Sequence, residues 1–347
     1  IGAEPRGLPV TNMSWIKAKL FDIGIDFGLF NNRLTGSFDF FNRKRTGLPA
    51  PRYDVLIPDE AGFDLPKENL NSDMHRGIDG AITWNHRIGD LSYSIGGNFS
   101  YSRHFDWEQY KPIFGNSWDQ YRNSKYHRMN SISWGYEVIG QFQSWEEIAS
   151  YPIDNDQQGN KTLRPGDIKY KDVNGDKVIN SDDRVAMGYN STCPEIYYSF
   201  SLGLEWKGLG FSAQFQGVGN YTAILSGTYY RPLVDNTTIS NYVYRNRWTP
   251  ETPNARFPRL TTETVDNNLQ TSSLWLADRS FLKLRNCEVY YKLPSSWLNR
   301  FWVKNAKVYV RGVDLLCFDS IDQLDPEAMN NSYPATRSIH VGLSVGF

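Results

Sequence analysis

Residues 197–219 read YYSFSLGLEWKGLGFSAQFQGVG. Phe200, Leu202, Leu204 and Trp206 alternate with Ser201, Gly203 and Glu205. After Gly208-Leu209 the pattern resumes, with Phe211, Ala213 and Phe215 alternating with Ser212, Gln214 and Gln216. Successive side chains of a strand point to opposite faces, so each half has one apolar and one polar face. The Gly between them has the chemistry of a tight hairpin turn. The stretch predicts two long antiparallel strands joined with almost no loop.

The same period extends outward in both directions. Phe21 to Leu29, Leu91 to Tyr101 and Ile339 to Phe347 alternate in the same way. Strands are expected near 17–30, 34–45, 75–88, 91–103, 197–207, 210–219, 279–292, 304–317 and 337–347, with a weaker tenth near 134–143. Several exceed the soluble-strand norm of about 5–6 residues and suit a tilted membrane strand of about 9–11. Asn31-Asn32-Arg33, Gly89-Asp90 and Gly208-Leu209 are tight turns, whereas 46–74, 104–196, 220–278 and 318–336 are long loops. Counted back from Phe347, every tight turn falls at one end of the strands and every long loop at the other; the 293–303 connection joins the turn end. Outer-membrane barrels have this asymmetry, with short periplasmic turns and long extracellular loops. A lone tenth strand would break the parity, so 134–143 is expected to have a partner or to belong to a loop hairpin. The expected fold is therefore an all-β, transmembrane antiparallel barrel of about ten strands. A secreted carbohydrate-binding β-sandwich stays open, because period two alone does not separate the two.

Composition agrees with a barrel. Aromatics make up 15%, mean hydropathy is -0.54 and the net charge is -1. Barrel strands need only every second residue apolar, so mean hydropathy stays low, and no run of about 18 apolar residues predicts a membrane helix. A near-neutral chain gives no footing for nucleic acid. Cys193, Cys287 and Cys317 make no disulfide framework or CxxC pair, and the five histidines have no metal-ligand spacing. No nucleophile elbow, phosphate loop or dinucleotide fingerprint occurs, and no enzyme activity is expected. The opening residues Ile1 to Pro5 do not read as a signal peptide, so the chain is expected either to be processed or to start inside a longer protein.

The sharpest local motif runs from Asp172 to Asp183 inside the long 104–196 loop. Oxygen side chains stand at Asp172, Asn174, Asp176, Asn180 and Asp183, and Val178 offers its carbonyl. A hard cation needs about 6–8 oxygen ligands, and this is the spacing of an EF-hand-type calcium loop. Lys177 stands where glycine normally makes the sharp turn, and Asp183 is shorter than the usual Glu. A structural calcium ion (Ca2+) ordering the loop is expected; a solvated acidic loop with an Asn-Gly turn is the alternative. Trp118, Tyr121, Tyr229 and Tyr230 are candidates for substrate or partner contact, since flat rings suit sugar faces and protein interfaces. Phe347, closing an alternating strand, is a candidate barrel-insertion signal.

At this level of detail the chain resembles the SusC/RagA-type TonB-dependent transporters of Bacteroidetes. The resemblance rests on FDIGIDFGLFNNRLTGSFDFFNR (Phe21 to Arg43), PGDIKYKDVNGDKVINSDDRVAMG (Pro165 to Gly188), LADRSFLKLRNCEVYYKLP (Leu276 to Pro294), Asp325-Pro326-Glu327, Tyr333-Pro334 and the terminal VGLSVGF. It covers about 15–347, and it implies the C-terminal part of a barrel of about 22 strands. Further strands, the plug and the TonB-contacting segment are then expected outside these residues, because an open edge in lipid costs several kcal/mol per unpaired group. The resemblance also implies outer-membrane lipid as surroundings, a SusD-type lipoprotein as lid, TonB as motor, and an oligosaccharide or, in some members, a peptide as cargo. A passive porin and a barrel hydrolase remain as rival functions.

Overall fold

The computed structural model describes residues 8, 10, 12–52, 54–58, 60, 62–226, 232–233, 237–298, 303–329 and 333–347. The chain begins with β1 (Lys17–Leu29), β2 (Leu34–Ala50), β3 (Glu68–Ile88) and β4 (Leu91–Glu108). The loop after β4 carries β5 (Arg128–Met129), β6 (Ile132–Gly135), β7 (Val138–Gln141), β8 (Ile168–Tyr170) and β9 (Val185–Asn190). Then come β10 (Ile196–Trp206) and β11 (Leu209–Gly219), with β12 (Thr222–Ile224) and β13 (Leu276–Asp278) in the following loop. β14 (Phe281–Lys292), β15 (Asn305–Asp319) and β16 (Ser338–Gly346) complete the order.

Nine long strands form one sheet in the order β1-β2-β3-β4-β10-β11-β14-β15-β16, with β5 added beside β4. Every neighbouring pair is antiparallel. All nine strands read from the alternation are present. The tenth is not part of this sheet: 134–143 is split between β6 and β7, which pair with β9 and β8 inside the loop. Its alternation is too short to span, and Tyr136 and Gln141 are buried among loop residues instead. Three strands also outrun their expected ends: β2 continues to Ala50, β3 starts at Glu68 and β4 runs to Glu108. Those extensions carry mixed polar sequence, because ladder hydrogen bonds hold them without any need for an apolar face.

The tight turns use residues that tolerate positive φ. Phe30, Asn31 and Asn32 have φ of 54°, 55° and 60°, and Lys207-Gly208 has 48° and 89°. These connections and the β14–β15 link, with its short helix Ser295–Leu298, share one end of the sheet. The four long loops share the other.

Register sorts the side chains cleanly. On one face Ile95 is 53% exposed, Phe200 42%, Leu209 51% and Val310 47%, although these strands are interior to the sheet. Phe200 and Phe215 stack on that face at 4.4 Å. An apolar surface of this extent on a soluble monomer would be anomalous. The sandwich alternative fails here, since no second sheet covers the apolar side among the described residues. The opposite face is polar and bridged: Glu288 meets Lys307 at 2.8 Å and Arg311 at 2.6 Å. Glu205 accepts from Tyr290 at 2.7 Å and Lys292 at 2.6 Å.

Aromatic rings repeatedly lie over cross-strand glycines. Phe27 faces Gly36, Phe41 faces Gly77, Tyr198 faces Gly217, Tyr290 faces Gly210 and Tyr309 faces Gly342. The ring fills the space that a side chain would take and shields the bare backbone. A Cβ on Gly210 would lie 2.0 Å from Tyr290 Cζ. Gly210→Val should therefore displace Tyr290, break its bond to Glu205 and destabilise the sheet by about 1–3 kcal/mol. Thermal unfolding followed by the change in gel mobility would show it; an unchanged midpoint would refute this packing account.

Candidate functional site

The loops at the long-loop end fold together. Leu225, Val243, Phe257 and Trp275 of the β11–β14 loop share a core with Ile321 and Met329 of the β15–β16 loop. Tyr136, Ile168, Tyr170 and Ile179 of the β4–β10 loop form a second core, against which Leu274 packs. Buried amides join the two large loops. Asn155 donates to Asn267 Oδ1 at 2.7 Å and accepts from Tyr170 N at 3.0 Å. Asn268 accepts from Ile168 N at 3.0 Å and donates to Asp167 at 2.8 Å; Asp167 is ion-paired with Arg259 at 2.8 Å. A buried polar network is stable when its members are partnered, and it then fixes one arrangement.

Between these loops lies a cavity of about 750 Å³, within the size range of small-ligand sites. Its floor includes Asn155, Tyr170 and Asn267, and its rim includes Gln158, Lys161, Arg164, Glu263, Asp266 and Gln270. The charges balance: Lys161, Arg164 and Arg259 stand against Asp156, Glu263 and Asp266. Asp156 is occupied, accepting from Gln158 N, Asn160 N and Thr162 N at 2.8 Å and from Thr162 Oγ1 at 2.6 Å. Burial pushes its carboxyl up, but these bonds outweigh burial and hold it below the ordinary range. Arg164 pairs with Glu263 at 3.3 Å. The amides of Gln158 and Gln270 have no hydrogen-bond partner among the described residues. Trp145 opens the short helix Trp145–Ser150, which Ser144 caps, and its ring stands 60% exposed at the cavity mouth.

The acidic loop is built from bonds between its carboxylates and its own backbone. Asp172 accepts from Gly175 N at 2.7 Å and Lys177 N at 2.9 Å; Asp176 accepts from Val178 N at 2.8 Å. Bonds from Asn174 and then Val178 hold the Asp176 carboxyl below its usual range. Asp183 is fully buried and accepts from Val173 N at 2.8 Å and Asn180 N at 2.9 Å, closing a capping box with Asn180. Lys177 has φ of 67°, so it adopts the left-handed turn that glycine would supply. Among the described residues no three His, Cys, Asp or Glu side chains gather as a metal cluster. The donor set is nonetheless all oxygen, and each carboxylate keeps lone pairs beyond those that accept an amide, which fits a hard cation chemically.

Trp118 and Tyr121 lie on the helix Ser117–Asn123 beside this loop. Trp118 Nε1 donates to the Asp182 carbonyl, and Arg122 pairs with Asp182 at 2.6 Å. Tyr121 meets Trp118 at 5.3 Å and Trp134 at 5.5 Å. The structure thus joins Trp118 and Tyr121 to the 172–183 segment. Tyr229 and Tyr230 fall outside the described residues. Phe347 is 80% exposed just beyond β16. Sequence reasoning missed Trp145, Gln158, Gln270 and the asparagine network: amides carry no spacing motif, and the adjacent pair Asn267-Asn268 was the one available cue.

The β15–β16 loop is latched to the wall. A register shift in β14 and β15 sets Arg285 and Asp314 side by side, paired at 2.9 Å, with Asp314 at φ 51°. Arg285 also holds Glu327, while buried Lys283 meets Asp325 at 2.8 Å and Glu327 at 2.7 Å. Burial pushes the Glu327 and Asp325 carboxyls up, but Arg285 and Lys283 on Glu327, and Lys283 on Asp325, pull both below their ordinary values. Groups so depressed contribute stability that is complete at neutral pH and is lost as pH falls through their folded values. Hydrogen exchange of 320–329 in the intact protein should stay slow down to about pH 4 and quicken below it. Opening near pH 6 would contradict this latch and point to a histidine.

No family model matches the chain. The TonB-dependent receptor P26 of Formosa agariphila is 27% identical over 97% of this chain and 35% of its own length. The TonB-dependent receptor SusC of Bacteroides thetaiotaomicron is 22% identical over 97% of this chain and 32% of its own length. Among solved structures, the RagAB peptide transporter matches with a TM-score of 0.70 at 22% identity, covering 96% of this chain and 36% of that one. The resemblance read from the sequence holds: the chain is similar to TonB-dependent receptors, SusC among them, and its sheet has the fold of part of such a barrel wall. The chain spans about a third of the length of the curated relatives it matches.

Proposed function

We propose that this chain is the C-terminal part of the barrel of an outer-membrane importer. The importer takes up an oligosaccharide under the drive of TonB, with a SusD-type lipoprotein as its lid. One observation carries the reading: a nine-stranded sheet with one exposed apolar face gathers all its long loops at one end. The apolar face suits lipid, the polar face a lumen, and the folded loops an extracellular vestibule. In this reading Phe347 serves as the insertion signal, and the plug and TonB contact lie on the rest of the polypeptide. Cargo is held between lid and loops until force on the plug opens a path. No catalytic residue is assigned.

The loop cavity supports a sugar. A sugar hydroxyl both donates and accepts, as the Gln158 and Gln270 amides do, and its C–H face suits the Trp145 ring. The balanced charge favours a neutral ligand. A peptide cargo is the second reading, favoured by the likeness to the RagAB peptide transporter. Cells lacking the whole protein should lose uptake of labelled oligosaccharide, and an uncoupler should do the same to the intact strain. Trp145→Ala in the intact protein should weaken sugar binding at least about fivefold. Loss of peptide uptake alone would select the second reading, and uptake indifferent to the uncoupler would leave a passive porin.

We also propose that Asp172, Asn174, Asp176 and the Val178 carbonyl hold calcium, with Asn180 and Asp183 shaping the loop's end. Bound there, calcium supplies positive charge that cancels the crowding of carboxylates. Trp118, Tyr121 and Arg122 brace the same loop from the side. Non-glycine residues at left-handed φ cost about 1–2 kcal/mol. Lys177→Gly should therefore relax the loop with or without the ion and leave calcium affinity nearly unchanged, whereas Asp176→Asn should weaken it. Proteolysis at 172–183 with calcium or chelator is the measurement. Cleavage that ignores calcium in every variant would mean the amide bonds alone order the loop.

A further inference from the structure

The apolar face changes character at its loop end over four strands. Its last fully apolar cross-strand row there is Ile23–Phe40–Ile78–Tyr101. The next row is Phe21–Asn42–Arg76–Arg103, and the one beyond is Lys19–Lys44–Met74–Phe105, with Lys17 following on β1. Alternation puts all of these on the apolar side of the sheet. Arg76 stands directly opposite Arg103, and Lys19 directly opposite Lys44. Like charges so opposed are destabilising. Glu108 meets Lys44 at 3.3 Å and buried Glu195 meets Arg103 at 2.8 Å. Lys17, Lys19 and Arg76 have no ion-pair partner among the described residues, and all three are exposed. On the next strand, β10 begins at Ile196, which pairs with Tyr101, so its ladder stops one row short of Arg103 and the cationic rows run over β1 to β4.

We propose that this cationic row binds the phosphate of an anionic lipid headgroup, a reading that rests on the membrane barrel proposed above. One member of each opposed pair, Lys19 and Arg76, is left without an anion, as is Lys17, and a phosphate set among them would supply it. The row borders the apolar belt directly on the same face, so an acyl chain continues downward from the headgroup over Ile78 and Tyr101. A soluble anion has no use for that continuity. Phe105 lies under the Arg76 guanidinium at 4.9 Å and orients it on the outward surface.

The test uses the whole protein extracted from membranes in mild detergent. Native mass spectrometry would titrate phosphatidylglycerol and, separately, an uncharged glycolipid. Each surface cation multiplies anionic-lipid affinity about fivefold, so K17Q/K19Q/R76Q should bind phosphatidylglycerol about 100-fold more weakly. The charge-keeping variant K17R/K19R/R76K should bind as the parent does, which excludes misfolding as the cause. Glycolipid binding should not differ between the proteins. Equal phosphatidylglycerol affinity in parent and triple variant overturns the proposal, as does displacement of the lipid by millimolar inorganic phosphate, which would indicate a soluble-anion site. Fractionation of the starting cells separates the two failures: a protein absent from the outer membrane defeats the barrel reading itself.

Discussion

The antiparallel ladder and its register govern the rest of the molecule. Side chains alternate with period two, so a slip of one residue would move every outward group inward. From Lys17↔Thr46 to Leu29↔Leu34, β1 and β2 pair without a break, and β10 is unbroken on both of its flanks. That continuity keeps Ile95, Phe200 and Val310 on one face and Glu205 and Glu288 on the other. The same continuity aligns aromatic rings with glycines, since those partners meet only at fixed register.

Where the ladder does break, the break is used. The register shift between Leu284 and Asn286 frees Arg285 from strict alternation, and its partner Asp314 takes a positive φ. Both side chains then reach the ion pairs that hold the last loop. Taking charges such as Lys283 out of water is costly, and the cost is met only because two carboxylates meet one ammonium. A wall-to-loop tie of this kind positions the shared core of Trp275 and Ile321, which in turn supports one side of the cavity.

The loops behave as a folded unit more than as tethers. Their rigidity comes from amides, whose donors and acceptors can satisfy both chain segments at once. Asn155 alone bonds the backbone of its own loop and a side chain of the other. Such a frame leaves a few polar groups, Gln158 and Gln270, pointing at open space, and that is the ordinary anatomy of a recognition site.

The sequence by itself determined the nine strands, the tight turns, the end at which the loops gather and the acidic loop, because each depends on near neighbours: period two, turn chemistry and oxygen spacing are local. It also showed that the 134–143 segment did not fit the parity. Only the tertiary structure decided the polar extensions of β2, β3 and β4, the placement of β6 and β7 in the loop, and the assembly of Trp145 with Gln270 around one cavity. It alone decided that Arg76 faces Arg103 and that Arg285 reaches Glu327. Those relations join residues tens of positions apart through pairing register and loop packing. Amides and single cations leave no periodic trace in a chain, so nothing short of the assembled fold brings them into view.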